Sequence, residues 1–266
     1  MTYRMVALDV DGTLLDDEHR LSPRTAETLR RVYERGTDIV LCTGRSISNT
    51  GPILEELGID GAVVTHNGAA TVHAGDRTLL HECSFPAAEV LPFVTYCRRE
   101  GIHFDYCTPF ELYVENLPED ARLMYEDFMH EPLLHPDLTA FEEPLVKFTV
   151  FAPEEVMDRV ESEWRQMKSP LLLLRSHRFF IDIVHPDASK GNALRRLAEA
   201  KGVAPSQILA MGNYYNDLSM LEYAGLGIAM ENSPDDVKAA ADEVAESNNE
   251  EGVAKALAKH FGLEKG

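Results

Sequence analysis

Two carboxylates two residues apart, Asp9 and Asp11, follow directly on the apolar run Met5-Val6-Ala7-Leu8. A short continuous apolar run reads as a buried strand, and side chains two apart on an extended chain point the same way. The pair is therefore expected to converge on one small volume where the strand meets its loop. Carboxylates at close range repel unless one takes a proton or a cation sits between them, so a divalent metal or a raised pKa is expected. Both suit acid–base work. Gly12 allows a tight turn, and Thr13 offers a hydroxyl and a backbone N–H to an approaching anion. A strand ending in Asp also serves to cap the next helix, so the remaining strand ends decide between the two uses.

Those ends follow from the elements that must position them. Over residues 21–35, Ala26, Leu29, Val32 and Tyr33 recur at helical spacing, with Ser22 before Pro23 as N-cap and Gly36 as stop. Residues 38–42 read as a second buried strand ending at Thr43-Gly44-Arg45, and residues 61–65 as a third ending at His66-Asn67-Gly68-Ala69. Strand alternating with helix predicts a parallel sheet. The rhythm resumes in the tail with a helix over 190–200, strands over 208–211 and 227–230, and helices starting at Asn216 and near Pro234 and Glu251. In between it changes to helix (87–99), strand (102–106), strand (111–115), then helix (154–167), strand (171–174), strand (179–184), with residues 117–144 unassigned. Two such units predict an α+β insert, an antiparallel sheet with helices on one face, in which Tyr113 and Trp164 are packing residues. Turns at Ser84-Phe85-Pro86 and His185-Pro186-Asp187 bound it, dividing the chain into 1–83, 84–185 and 186–266.

Ligands of an open parallel sheet bind outside the carboxyl ends of its strands, and the unusual polar clusters of this chain fall there. Asp9 and Asp11 end the first strand, Thr43 the second, His66-Asn67 the third, and Gly212-Asn213-Tyr214-Tyr215-Asn216-Asp217 follows Met211. The Thr43 hydroxyl suits a phosphate oxygen, and Arg45 lies near enough to contact a substrate or pair with an acid. Lys190, behind Ser189 as N-cap, is placed to neutralise an anion where helix amides also point. Residues 213–217 supply hard oxygens of the kind Mg²⁺ selects.

Composition narrows the partners. With 25 basic and 45 acidic residues the net charge is −20, which argues against duplex nucleic acid or an anionic membrane surface. Screening over about 8 Å lets a local group of cations and amide dipoles override that sign for a phosphate ester. The apolar content of 44% is ample for packed cores. No segment approaches about 18 uncharged apolar residues, so neither secretion nor a membrane span is expected. Cys42, Cys83, Cys97 and Cys107 show no CxxC pair. They fit reduced, buried thiols, which points to the cytoplasm.

Taken in order, Asp9-Val10-Asp11-Gly12-Thr13, Thr43-Gly44-Arg45, Lys190-Gly191 and Gly212-Asn213-x-x-Asn216-Asp217 resemble the four signature motifs of the haloacid dehalogenase superfamily of phosphohydrolases. The placing of the insert, together with Asn67-Gly68-Ala69, Ile228-Ala229-Met230 and the stretch from Asn248 to Ala254, resembles its Cof-type branch, which carries a class IIB cap. The resemblance implies a Rossmann-like α/β core with an inserted α+β cap that closes over the sheet edge. It implies Mg²⁺-dependent hydrolysis of small phosphorylated metabolites, such as sugar phosphates, with Asp9 as nucleophile forming an aspartyl-phosphate. Asp11 would protonate the leaving oxygen and then activate water, and Thr43 and Lys190 would hold the phosphoryl oxygens. Gly12, Thr13, Gly44, Arg45, Asn67 and Asn216 would line the substrate, and Asp9, Asp11, Asn213 and Asp217 would hold the metal. A phosphosugar mutase on the same scaffold and a non-catalytic phosphometabolite sensor are the alternatives. The motif in this family begins Gly-Asp, whereas this chain has Gly212-Asn213, which implies a weaker hold on Mg²⁺. Polar residues of the insert such as His103, Asp105, Arg175 and His177 are expected to be exposed and open to several phosphate esters.

Overall fold

The computed structural model describes residues 3–127 and 131–263, except for the side chains of Asp127 and His177. The outermost residues of the first and last expected segments, 1–2 and 264–266, lie outside it. The chain divides into two compact units, one formed by Met1–His81 with Ser189–Gly266 and the other by Glu82–Ala188.

The first unit is built on strands β1 (Met5–Asp9), β2 (Asp38–Cys42), β3 (Ala62–Thr65), β4 (Ala70–His73) and β5 (Leu79–Glu82), with helices α1 (Pro23–Glu34) and α2 (Ile47–Leu57). Helix α1 starts where the sequence predicts, since the Ser22 side chain accepts from the Thr25 amide at 3.1 Å and Pro23 opens the first turn. Helix α2 is the second helix of the expected alternation, and the β4–β5 segment is an addition that the sequence reading lacks.

The second unit contains β6 (His103–Cys107), β7 (Leu112–Val114), β8 (Leu133–Leu134), β9 (Lys147–Phe151), β10 (Leu172–His177) and β11 (Phe180–Val184), with helices α3 (Leu91–Glu100), α4 (Glu119–Asp127) and α5 (Glu154–Trp164). Its sheet runs β10-β11-β9-β6-β7-β8. The pairings are antiparallel except for the parallel β7–β8 pair. Two expectations need correction. The unassigned interval contributes α4 and β8, and β9 just beyond it is a central strand whose Phe148 and Val150 enter the core with Phe93, Trp164 and Ile183. Nor do all helices lie on one face. Tyr125 and Met124 of α4 pack with Val114, Phe151 and Phe180, which point away from the Phe148–Val150 side because side chains alternate along a strand. This second layer covers Asp105, only 5% exposed, so that residue is not the open contact expected of it.

The chain then returns to the first unit with α6 (Lys190–Lys201), β12 (Ile208–Gly212), α7 (Leu218–Tyr223), β13 (Leu226–Met230), α8 (Asp235–Ala240), β14 (Glu243–Ala245) and α9 (Gly252–Phe261). The eight strands are ordered β14-β13-β12-β1-β2-β3-β4-β5, parallel from β14 to β3. Strand β1 lies between partners from opposite ends of the chain. Its residues are buried on both faces, with Met5 and Ala7 packed against Ala193, Leu194 and Leu197 of α6. The register aligns Leu8 with both Leu41 and Met211 and Asp9 with Cys42, which brings Asp9, Thr43 and Gly212 level.

Candidate active site

Strand β1 stops at Asp9, and this termination decides how its two carboxylates are used. The Val10 carbonyl accepts from the amides of Leu14 and Leu15, both at 3.0 Å, so the chain leaves the extended conformation immediately after Asp9. The alternation that would point Asp9 and Asp11 into one volume ends with it. Asp9 is buried and its Oδ1 accepts from Lys190 Nζ at 2.7 Å. Asp11 stands at the rim with its side chain 44% exposed, bound by the Arg45 guanidinium through Nη2 and, at 2.8 Å, Nε. The His19 ring lies 3.3 Å from Asp11 Oδ1. The two carboxylates thus have separate cationic partners.

Lys190, wholly buried at the start of α6, also donates to Asp217 Oδ1 at 2.6 Å. Its helix is capped by Ser189, whose hydroxyl oxygen accepts from the Asn192 amide at 3.1 Å. Asp217 Oδ2 takes the backbone amides of Asn213 at 2.9 Å and Tyr214 at 3.0 Å. Both of its oxygens accept from donors, so Asp217 fixes Lys190 and the 213–217 loop. Burial raises the Asp9 pKa, and Asp217 adds to the rise against the opposing pull of Lys190. Burial alone would lower the Lys190 pKa, but Asp9 and Asp217 hold the ammonium charged.

The remaining strand ends close the ring. Thr43 is buried, and its hydroxyl oxygen accepts from the Arg45 amide at 3.1 Å, leaving its own O–H to donate elsewhere. Gly44 lies under the side chain of Asn67, whose backbone is left-handed at φ 56° and whose amide donates to the Thr43 carbonyl at 2.9 Å. Asn67 Oδ1 accepts from Asn216 at 3.0 Å, tying the end of β3 to the 213–217 loop. At Gly68, with φ +99°, a Cβ would come within 2.1 Å of the Ser189 carbonyl, so the β3 end can approach α6 this closely only as glycine. Two participants were absent from the sequence reading. Asn232, just past β13, donates to the Gly12 carbonyl at 2.8 Å, and the strand-end rule would have found it. His19 carries no signal, since only the turn after β1 brings it to Asp11.

One terminal position of the Asn213 carboxamide is 3.1 Å from Asp9 Oδ2 and 3.1 Å from the Asp11 carbonyl oxygen. An oxygen there also accepts from the buried Thr13 hydroxyl at 3.4 Å. Octahedral Mg²⁺–oxygen bonds of about 2.1 Å give ligand–ligand edges of about 3.0 Å, and carboxylate, carbonyl and amide are the hard donors that ion takes. The donor set fits Mg²⁺. Among the described residues no three His, Cys, Asp or Glu side chains cluster as for a metal, and this set needs only one carboxylate.

A family model for haloacid dehalogenase-like hydrolases matches residues 6–257. The chain belongs to this family. Among haloacid dehalogenase-like proteins, the putative phosphatase YxeH of Bacillus subtilis is 31% identical over 265 residues, spanning 96% of this chain and 97% of its own. A solved haloacid dehalogenase-like hydrolase from Bacteroides thetaiotaomicron superposes with a TM-score of 0.88 at 30% identity, covering 98% of this chain and 100% of that one. The HAD subclass IIB sugar phosphatase BT4131 superposes with a TM-score of 0.80 at 26% identity, covering 98% and 99%. These likenesses bear out the Cof-type resemblance, the α/β fold with its parallel-sheet core, and an enzyme of the phosphatase class. Among the described residues no helix is long and apolar enough to cross a membrane.

Proposed function

We propose that this haloacid dehalogenase-like hydrolase is a Mg²⁺-dependent phosphomonoesterase for small phosphorylated metabolites such as sugar phosphates, with Asp9 as nucleophile. The observation that carries the reading is the setting of Asp9, held on one oxygen by Lys190 while the other lies 3.1 Å from the Asn213 carboxamide, which is itself 3.1 Å from the Asp11 carbonyl. Asp9 attacks phosphorus in line and forms an aspartyl-phosphate as the ester oxygen leaves. Asp11, nearer the rim, passes a proton to that oxygen and then takes one from the water that hydrolyses the acyl phosphate. A covalent carboxylate intermediate divides one difficult displacement into two easier ones, and phosphoryl transfer otherwise needs mainly positioning and charge neutralisation. The O–H of Thr43 donates to a phosphoryl oxygen, and Lys190 keeps Asp9 aimed and charged. Asp9, the Asp11 carbonyl and Asn213 would hold Mg²⁺, which would supply charge neutralisation for nucleophile and phosphoryl group. Asp217 and Asn216 order the loop that presents Asn213.

The sugar phosphatase likeness supports sugar phosphates as the first class to try. The four cysteines are buried, which supports a reducing compartment, the cytoplasm. The test is phosphate release by the purified protein from a panel of phosphorylated metabolites, with Mg²⁺ and with a chelator. Turnover is expected with Mg²⁺ alone, reduced at least about 10⁴-fold in Asp9→Asn. Undiminished turnover in Asp9→Asn would overturn the covalent route, and no release from any ester would favour the sensor alternative.

A further inference from the structure

The two orientations open to the Asn213 carboxamide would present opposite chemistry at the same place. With oxygen at the position 3.1 Å from both Asp9 Oδ2 and the Asp11 carbonyl, it faces two acceptors and needs a cation among the three. With nitrogen there, it donates to both and satisfies them without a cation. The torsion that exchanges them is broad and roughly two-fold, so no rotamer is violated by the turn. Its surroundings favour a pure rotation. The backbone amide of Asn213 is pinned by Asp217 Oδ2 at 2.9 Å, which holds the Cα in place while the amide turns. The other terminal position lies over Gly12, where a Cβ would approach within 2.4 Å and block it.

We propose that Asn213 is a two-position latch, closing the metal-free site through its nitrogen and joining the metal through its oxygen. The inference rests on the metal-dependent reading above. An aspartate in its place would set a third acceptor against Asp9 and the Asp11 carbonyl with no proton to share, so the empty site would be repulsive and the filled one tighter. The amide reverses that balance: it stabilises the empty site at the expense of affinity. It also leaves the filled site one charge more positive than an aspartate would. Metal and dianionic phosphate should therefore strengthen each other's binding, as reciprocal coupling requires.

Two measurements test this without turnover. In the first, wild type and Asn213→Asp are melted in chelator and across a Mg²⁺ titration, with affinity read by calorimetry. The expected pattern is a crossing: the variant melts lower than wild type in chelator, yet binds Mg²⁺ at least about tenfold more tightly and gains the larger thermal shift. Equal melting in chelator, or equal Mg²⁺ affinity, would overturn the latch while leaving the phosphatase reading intact. Absence of Mg²⁺ binding by both proteins would instead remove the metal site on which both rest. The second measurement needs only the wild-type fold. In protein labelled with ¹⁵N-asparagine, the Asn213 side-chain NH₂, assigned through its loss in Asn213→Ala, should be protected from exchange in chelator and should lose that protection as Mg²⁺ is added. An NH₂ that exchanges freely in chelator, or is indifferent to Mg²⁺, would refute the proposal.

Discussion

Lys190 is the residue on which the charges of the site balance. It is wholly buried, and its ammonium bridges two carboxylates at 2.7 and 2.6 Å that have no other cation at that distance among the described residues. Removing one partner of a buried ionic group is severe because the survivors stay buried and uncompensated. Lys190→Met is expected to destabilise the protein by about 3–5 kcal/mol, read from urea unfolding in chelator. A loss below about 1 kcal/mol would mean that Asp9 and Asp217 find other partners. The roles at this scale were only partly legible in the sequence. Asp9, Thr43, Asn67 and Asn213 were found because they end parallel strands, and that placement follows from buried apolar runs. The division of labour was not. That Asp11 turns to Arg45 depends on where β1 stops, and that Asp217 spends both oxygens on Lys190 and two amides depends on how the loop folds back.

The second unit shows how one element can carry its own titration. The register sets Asp105 of β6 opposite Thr149 of β9, which is opposite Asp182 of β11, a polar row across a sheet whose other face is apolar. Tyr125 of α4 donates to Asp105 Oδ2 at 2.9 Å and shuts the row from water. Burial pushes the Asp105 carboxyl from 3.8 up to about 6, with Asp182 adding to the rise and Lys147 and Tyr125 opposing it. Between those values the folded chain keeps a proton that the unfolded chain has lost. Its contribution to stability is therefore complete below about pH 4 and gone above about pH 6. Asp105→Asn imitates the protonated form at every pH. It is expected to match wild type at pH 4 and to exceed it by up to about 3 kcal/mol at pH 8, measured as urea unfolding free energies. A difference that does not change with pH would show that Asp105 is ionised throughout. Strand β9 itself alternates Lys147, Phe148, Thr149, Val150 in the pattern of a half-buried strand, so the signal was present. What hid it was α4 and the two-residue β8, elements too short to mark where the preceding loop ends.

On the scale of the whole chain, each unit has its own apolar core, and the protein has a single tryptophan. Trp164 is 2% exposed and packs 4.6 Å from Phe93 inside the second core, so its fluorescence reports that unit alone. Two cores of this kind need not unfold together. In Lys190→Met the midpoint followed by far-ultraviolet dichroism should fall, while the tryptophan midpoint stays within error of wild type. A matching fall in both would show that the units unfold as one.

The position of β1 between β2 and β12 also sets a timetable for synthesis. Asp9 and Lys190 are 181 residues apart, an interval of about 10–40 s at ribosomal rates of about 5–20 residues per second. Throughout it the edge of β1 that will later face β12 is without its final partner, an apolar strand edge of the kind that recruits other chains. A chain interrupted before α6 therefore carries the nucleophile without the lysine that neutralises it and β1 without half of its pairing. Chemical competence and protection from aggregation arrive together, late, when the second half of the core closes on the first.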